Sequence, residues 1–253
     1  MSVLVAAGNR VLPRGWGDLG RQLAIWFGFL AAYQVARGVA DRNPSRAFDN
    51  GLHVIDIERH THAVFELTLQ RIVDGSQLLA ALASWTYWNS EFTVVGLALL
   101  FVYLRRNEAF VRFRNAILLA NVIGLVGYVL LPTAPPRMFP DLGFADTLAD
   151  FGGLNHGSGL VEIAANPYAA MPSLHSADAL IVGLVLFSVC RNRFFKAAWL
   201  LWPAWVWFSV MATGNHFWLD VLAGVIVAVI GLGVVYGGPG LRRRWRARRL
   251  APT

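Results

Sequence analysis

The chain has 253 residues, 56% of them hydrophobic and 15% charged, with a mean hydropathy of +0.50. A soluble domain averages about 45–50% apolar and about 25% charged residues, so these values exclude an ordinary soluble domain and point to a multi-pass membrane domain. The net charge of +7 comes almost wholly from arginine and gathers in short loops and a tail, which fits positive-inside topology and not a nucleic-acid-binding face.

The first apolar segment covers 21–39. Arg10, Arg14 and Arg21 precede it as they would in a signal peptide, but its aromatic content and lack of a small-residue cleavage site favour a retained helix. Residues 41–76 mix acids such as Glu58 and Glu66 with Leu52, Val54, Ile55 and Phe65. That mixture predicts one or two amphipathic helices lying on the membrane surface. Further spans are predicted at 80–104, 115–132, 175–190, 196–213 and 217–237. The fourth and fifth spans are short for a bilayer that needs about 20 residues. The stretch 132–174 reads as a loop, and its part from 140 to 170 carries Gly152, Gly153, Gly157 and Gly159 and is predicted to be flexible. No polar linker or internal repeat divides the chain, so 1–253 reads as one membrane domain ending in a basic tail at 238–253. The predicted fold class is an all-α integral membrane protein with six transmembrane helices and an extracytoplasmic interfacial helical segment.

Orientation follows from the cations. Arg105, Arg106, Arg112 and Arg114 lie between predicted spans two and three, and Arg191, Arg193 and Lys196 lie between spans four and five. With six spans these fall on the side of the tail and should be cytoplasmic. The 132–174 loop and the 213–217 turn then face outside, in the cell membrane's extracytoplasmic surface.

Three apolar segments meet that surface with a group suited to phosphate or protons. His216 and Asp220 stand four apart in G-N-H-F-W-L-D; on a helix they share a face, and a carboxylate there can orient one imidazole nitrogen and leave the other free to attack. The bland alternative is two polar residues satisfying each other at a helix end. His175 follows Pro172 and Ser173 at the start of span four, where it can protonate a leaving oxygen. Arg137 ends P-T-A-P-P-R, and its guanidinium presents a planar fork to phosphate oxygens, or to lipid headgroups without specificity. Asp178, three residues after His175, is placed to tune that histidine. Glu91 and Asn89 in span two are candidates for a polar headgroup contact or for helix–helix hydrogen bonding, and Asn215 is a further candidate beside His216. His53, His60, His62 and His156 read as solvated or interfacial, and neither a metal site nor a cofactor is predicted.

P-S-L-H followed by H-x-x-x-D resembles the type 2 phosphatidic acid phosphatase (PAP2) superfamily, closest to the branch containing inositol phosphorylceramide synthase and actinobacterial relatives. Tyr33, Arg37, Glu58 and P-T-A-P-P-R fit that branch. The resemblance implies a phosphohistidine at His216 oriented by Asp220. It implies His175 as the acid and base, with Arg137 and Ser173 in the phosphate pocket. It implies a lipid phosphate or phospholipid substrate, with water or a polyol such as inositol as acceptor. Two expected cations are missing, since Leu130 and Val210 stand where the broader family has lysine and arginine, although Ser209 matches. Fewer cations suit a phosphodiester better than a phosphomonoester dianion. The competing reading from another class is a six-helix transporter or lipid-binding membrane protein with a degenerate site.

Overall fold

The computed structural model describes residues 12–39, 43–148 and 166–237. The glycines at 152–159, His156 and the basic tail lie outside the described residues. Among the described residues the chain is helical, apart from one isolated parallel bridge between Thr133 and Ala169. In chain order the helices are α1 (Gly15–Val39), α2 (Pro44–His60), α3 (Glu66–Asp74), α4 (Gln77–Ser90), α5 (Thr93–Arg105), α6 (Asn107–Leu130), α7 (Leu174–Val189), α8 (Arg193–Ala212) and α9 (Trp218–Leu232). A π-helical turn, Gly233–Gly237, extends α9.

By length and composition α6, α8 and extended α9 are able to cross a membrane, and α4 with α5 makes a fourth candidate. α7 is apolar but only 16 residues long, and α1 reaches 25 residues but falls short in hydropathy. Among the described residues the protein is all-helical, a membrane protein with three or four segments long and apolar enough to span a bilayer.

Several predicted boundaries move. The second span is not one helix: α4 and α5 meet at 57° around Glu91 and Phe92. Sharp bends have local causes, and here the polar run Asn89-Ser90-Glu91 lies at the bend, with the Glu91 carboxylate turned to partners inside the bundle. The third span starts at Asn107, so Arg112 and Arg114 belong to the first turns of α6 and not to a loop. Their long stems let them stay at the polar end: Arg114 Nη1 donates to Gln22 Oε1 at 2.5 Å, and the Arg112 guanidinium lies 6.0 Å from the Tyr236 ring centre. The fifth span, α8, has 20 residues and is not short.

Residues 41–76 contain two helices. α2 buries Ala47, Gly51, Val54, Ile55 and Glu58, the spacing of one helical face, while Leu52 and Ile57 stay exposed. Asn43 caps it by accepting a hydrogen bond from Arg46 N at 3.2 Å.

α7 is the hub, packing against α4, α5, α6, α8 and α9. Its start crosses α9 closely enough for Ser173 N to donate to Asp220 O at 2.9 Å and Ser176 Oγ to Val221 O at 2.9 Å. Gly224 permits the crossing, because a Cβ there would run into Ser173 O and stand 2.9 Å from Ser176 Cβ. The obstacle is backbone and cannot swing away. Gly224→Ala is expected to cost on the order of 1–3 kcal/mol, read as a lowered thermal unfolding midpoint in detergent micelles. An unchanged midpoint would refute a tight crossing.

Candidate active site

Two loops and four helix ends build the pocket. The loop after α6 is pinned on both sides: Thr133 N donates to Tyr168 O at 2.8 Å, and Arg137 N donates to Gly214 O at 2.9 Å. The short turn from α8 to α9 is held by Asn215 N and His216 N, both donating to Val210 O at 3.1 Å. Gly214 makes that turn with φ +71°, a left-handed conformation suited to glycine.

These constraints bring His175, His216 and Arg137 together around one polar pocket, with Arg37, Tyr87 and Glu91 also lining it. The two imidazole centres are 5.6 Å apart. Both histidines are over nine-tenths buried, at 7% and 4% exposure, and both line this one pocket.

His216 is not on the helix, as the four-residue spacing suggested; it precedes the N-cap Phe217 of α9. Its Nδ1 lies 2.9 Å from Ala170 O and 3.5 Å from Asp220 Oδ2. A carbonyl oxygen can only accept, so Nδ1 carries the hydrogen and Nε2 keeps its lone pair. Burial pushes the imidazole down to about 3, against the hydrogen bond to Ala170, and the Arg137 charge adds to the fall. At neutral pH the ring is therefore uncharged. Asp220 makes a shorter contact elsewhere, accepting Phe217 N at 2.9 Å.

His175 stacks on Tyr87 with ring centres 4.6 Å apart, which fixes its plane. Its Nε2 lies 3.4 Å from Glu91 Oε2, and Tyr33 Oη donates to Glu91 Oε1 at 3.2 Å. Asp178, expected to tune His175, is taken up instead by Asn121, whose Nδ2 donates to its two oxygens at 3.0 and 3.1 Å. Three residues along a helix is a rotation that carries Asp178 to the α6 side. Asn89 donates to Trp85 O at 2.8 Å and does not line the pocket.

Arg137 Nη1 donates to Asn215 Oδ1 at 2.6 Å, and its Nε is 3.8 Å from Asp146 Oδ2. Asn215 Nδ2 donates in turn to Thr213 Oγ1 at 2.9 Å, so this buried amide aims the guanidinium. Ser173 does not line the pocket. It is fully buried, and its hydroxyl caps α7 by accepting Ser176 N at 3.3 Å.

The two positions that lack a family cation do not line the pocket either. Leu130 points outward at 65% exposure, and Val210 is buried with Ala179, Val206 and Val221. A second guanidinium reaches the site from α1: Arg37 lines the pocket, and its buried Nε has no hydrogen-bond partner among the described residues. In the sequence Arg37 is marked only by its fit to the synthase-containing branch. Its signal there is its place as a lone arginine in the last turn of an apolar helix.

Residues 52–234 match the PAP2 superfamily. The chain is 30% identical over 157 residues to the phosphoinositol dihydroceramide synthase of Bacteroides thetaiotaomicron, covering 57% of this chain and 50% of that protein. It is 25% identical over 123 residues to the inositol phosphorylceramide synthase catalytic subunit AUR1 of Saccharomyces cerevisiae, covering 44% and 30%. The chain thus spans half or less of the length of these relatives. The crystal structure of Aquifex aeolicus LpxE aligns with a TM-score of 0.49 at 20% identity, over 68% of this chain and 94% of that one. With the family match extending over well more than half of its length, the chain belongs to the PAP2 superfamily.

Proposed function

We propose that this protein cleaves a lipid-linked phosphate or phosphodiester through a phosphohistidine at His216, as a lipid phosphatase or a headgroup phosphotransferase. The observation that carries this reading is the pair of imidazoles, 5.6 Å apart, over a pocket lined by two guanidiniums. His216 Nε2 attacks phosphorus, the P–O bond to the leaving alcohol breaks, and His175 gives that oxygen a proton. The acceptor oxygen then attacks, its proton passes to His175, and the P–N bond breaks to restore His216. Arg137 and Arg37 meet the phosphoryl oxygens. Asp220 stands behind His216, and Asn215 behind Arg137.

Water as acceptor gives a phosphatase; a hydroxyl compound gives a transferase. The names of the two synthase relatives describe a phosphate joining inositol to a ceramide, which supports the transferase branch and a phosphodiester. A six-span arrangement as one domain, with 41–76 at the interface and the site facing outside, suits a lipid whose tail stays in the bilayer. The cation-bearing loops support this orientation: Arg106 Nε donates to Val189 O at 3.2 Å, drawing the Arg105–Arg106 turn to the end of α7 opposite His175.

The test presents phosphatidic acid and phosphatidylinositol in micelles to the purified protein, with water, inositol or ceramide as acceptor. Release of diacylglycerol from at least one donor is expected, and the partition of the phosphoryl group among acceptors names the branch. Binding of both lipids without turnover would instead favour the lipid-binding alternative.

A further inference from the structure

Two buried acids outside the pocket grip the segment that carries the nucleophile. The first N–H groups of a helix lack intrahelical partners. At α9 three of them are met by carboxylates from three different helices. Phe217 N donates to Asp220 Oδ2 at 2.9 Å, Trp218 N to Glu66 Oε1 at 2.6 Å, and Leu219 N to Glu58 Oε1 at 3.3 Å. Glu58, Glu66 and Asp220 each have 0% exposure. Neither α2 nor α3 contributes a residue to the pocket. A single cap would suffice to end a helix, and burying three acids is costly, so end-capping alone does not account for them.

We propose that Glu58 and Glu66 are positioning residues, through which α2 and α3 hold the His216–Asp220 segment in register with His175 and Arg137. The segment is short and has little slack. His216 is tied to Val210 O on one side and joined directly to the clamped Phe217–Leu219 on the other. A shift of the α9 N-terminus therefore moves the imidazole relative to the bound phosphoryl group. The positioning role rests on the reading of His216 as nucleophile; the clamp itself does not.

The charged groups facing Glu58 are Glu66 from α3 and Asp220 from α9, and Glu66 also faces Asp220. Burial pushes Glu58 up to about 9, with the Glu66 charge adding to it. Burial pushes Glu66 up to about 7, with the Asp220 charge adding and the bonds from backbone N–H groups opposing. Above the ordinary carboxyl value the folded chain keeps protons that the unfolded chain releases, so folding loses free energy as pH rises through 7 and then 9.

Hydrogen exchange of the peptide holding Phe217, Trp218 and Leu219, measured by mass spectrometry in micelles, reads the clamp without any substrate. Loss of one charge-assisted bond makes Glu66→Ala raise exchange at Trp218 by about tenfold or more. The same variant is expected to lower kcat on phosphatidic acid by about tenfold with KM within about twofold, since the lost contact lies outside the binding pocket. Glu66→Gln keeps an acceptor oxygen and should restore both. Glu58→Gln has no proton to lose, so it should remove part of the fall in melting temperature between pH 7 and pH 9.

Unchanged exchange in Glu66→Ala overturns the clamp, and raised exchange with unchanged kcat overturns its role in positioning. If Glu66→Ala gives no folded protein, Glu58→Ala, which removes the acceptor of Leu219 N instead, carries the test through exchange and kcat. Unaltered exchange in that variant would reject the clamp, and raised exchange with unaltered kcat would reject its role in positioning. If the unaltered protein turns over no phospholipid, the phosphoesterase reading and the positioning of a nucleophile fail together, while the exchange arm still decides the clamp.

Discussion

Replacing His216 with alanine is expected to lower turnover of a lipid phosphate by on the order of 10^4 to 10^6, the scale set by removing a covalent nucleophile. The same variant should take up no label from a donor carrying radioactive phosphate, whereas the unaltered protein, quenched in base, should retain an acid-labile phosphoramidate. The size of the effect follows from the surroundings of the ring. Nδ1 is committed to the Ala170 carbonyl at 2.9 Å, burial keeps the imidazole neutral, and the free Nε2 belongs to a side chain lining the pocket. No other neutral nucleophile among the lining residues is so prepared: His175 faces Glu91 across 3.4 Å, and Tyr87 is stacked against it. Label that persists in His216→Ala, at the stoichiometry of the unaltered protein, would remove His216 from the role.

What the sequence makes legible are groups whose neighbours along the chain announce them. His175 behind Pro172 and Ser173, His216 before Asp220 and Arg137 after a proline run each sit at the mouth of an apolar segment, and the structure gathers the guanidinium and the two imidazoles around one pocket. The helical class is equally visible, because apolar runs of such length have few other forms. The contributions that were not legible come from long-range contacts. Arg37 reaches the pocket from α1, although the local count of cations around Leu130 and Val210 suggests a deficit. Glu66 carries no local mark at all. It sits among the acids of an amphipathic helix, and only the approach of Trp218 N sets it apart.

Other departures come from competing uses of one side chain. Ser173 has the residue type for phosphate, but a serine before a helix is also an N-cap, and the helix takes the hydroxyl. Asp178 has a histidine nearby in sequence, but its rotation around α7 delivers it to Asn121. Glu91, open in sequence between a headgroup contact and helix packing, lies at the break between α4 and α5, where its oxygens reach Tyr33 and His175. Its position there bears directly on the proton transfer proposed for His175.

His175→Ala should separate the two chemical steps. A glyceride alkoxide is a poor leaving group and needs a proton as the P–O bond breaks. Loss of the donor is therefore expected to slow cleavage of phosphatidic acid by about 10^2 to 10^4. An aryl phosphate such as p-nitrophenyl phosphate leaves as a stable phenolate and needs no proton. On that substrate the first step in His175→Ala should run close to the unaltered rate. The second step is different, because the attacking water must lose a proton and the residue that takes it is gone. The variant should therefore release about one equivalent of nitrophenol per site in a burst and then turn over slowly, with the phosphoenzyme accumulating. Glu91→Gln should show a milder form of the same pattern. The carboxylate 3.4 Å from His175 Nε2 is the nearest partner for the proton in transit, and an amide of the same shape cannot take it up. Equal losses on the lipid and on the aryl phosphate, with no burst, would show that His175 shapes the pocket and does not carry the proton.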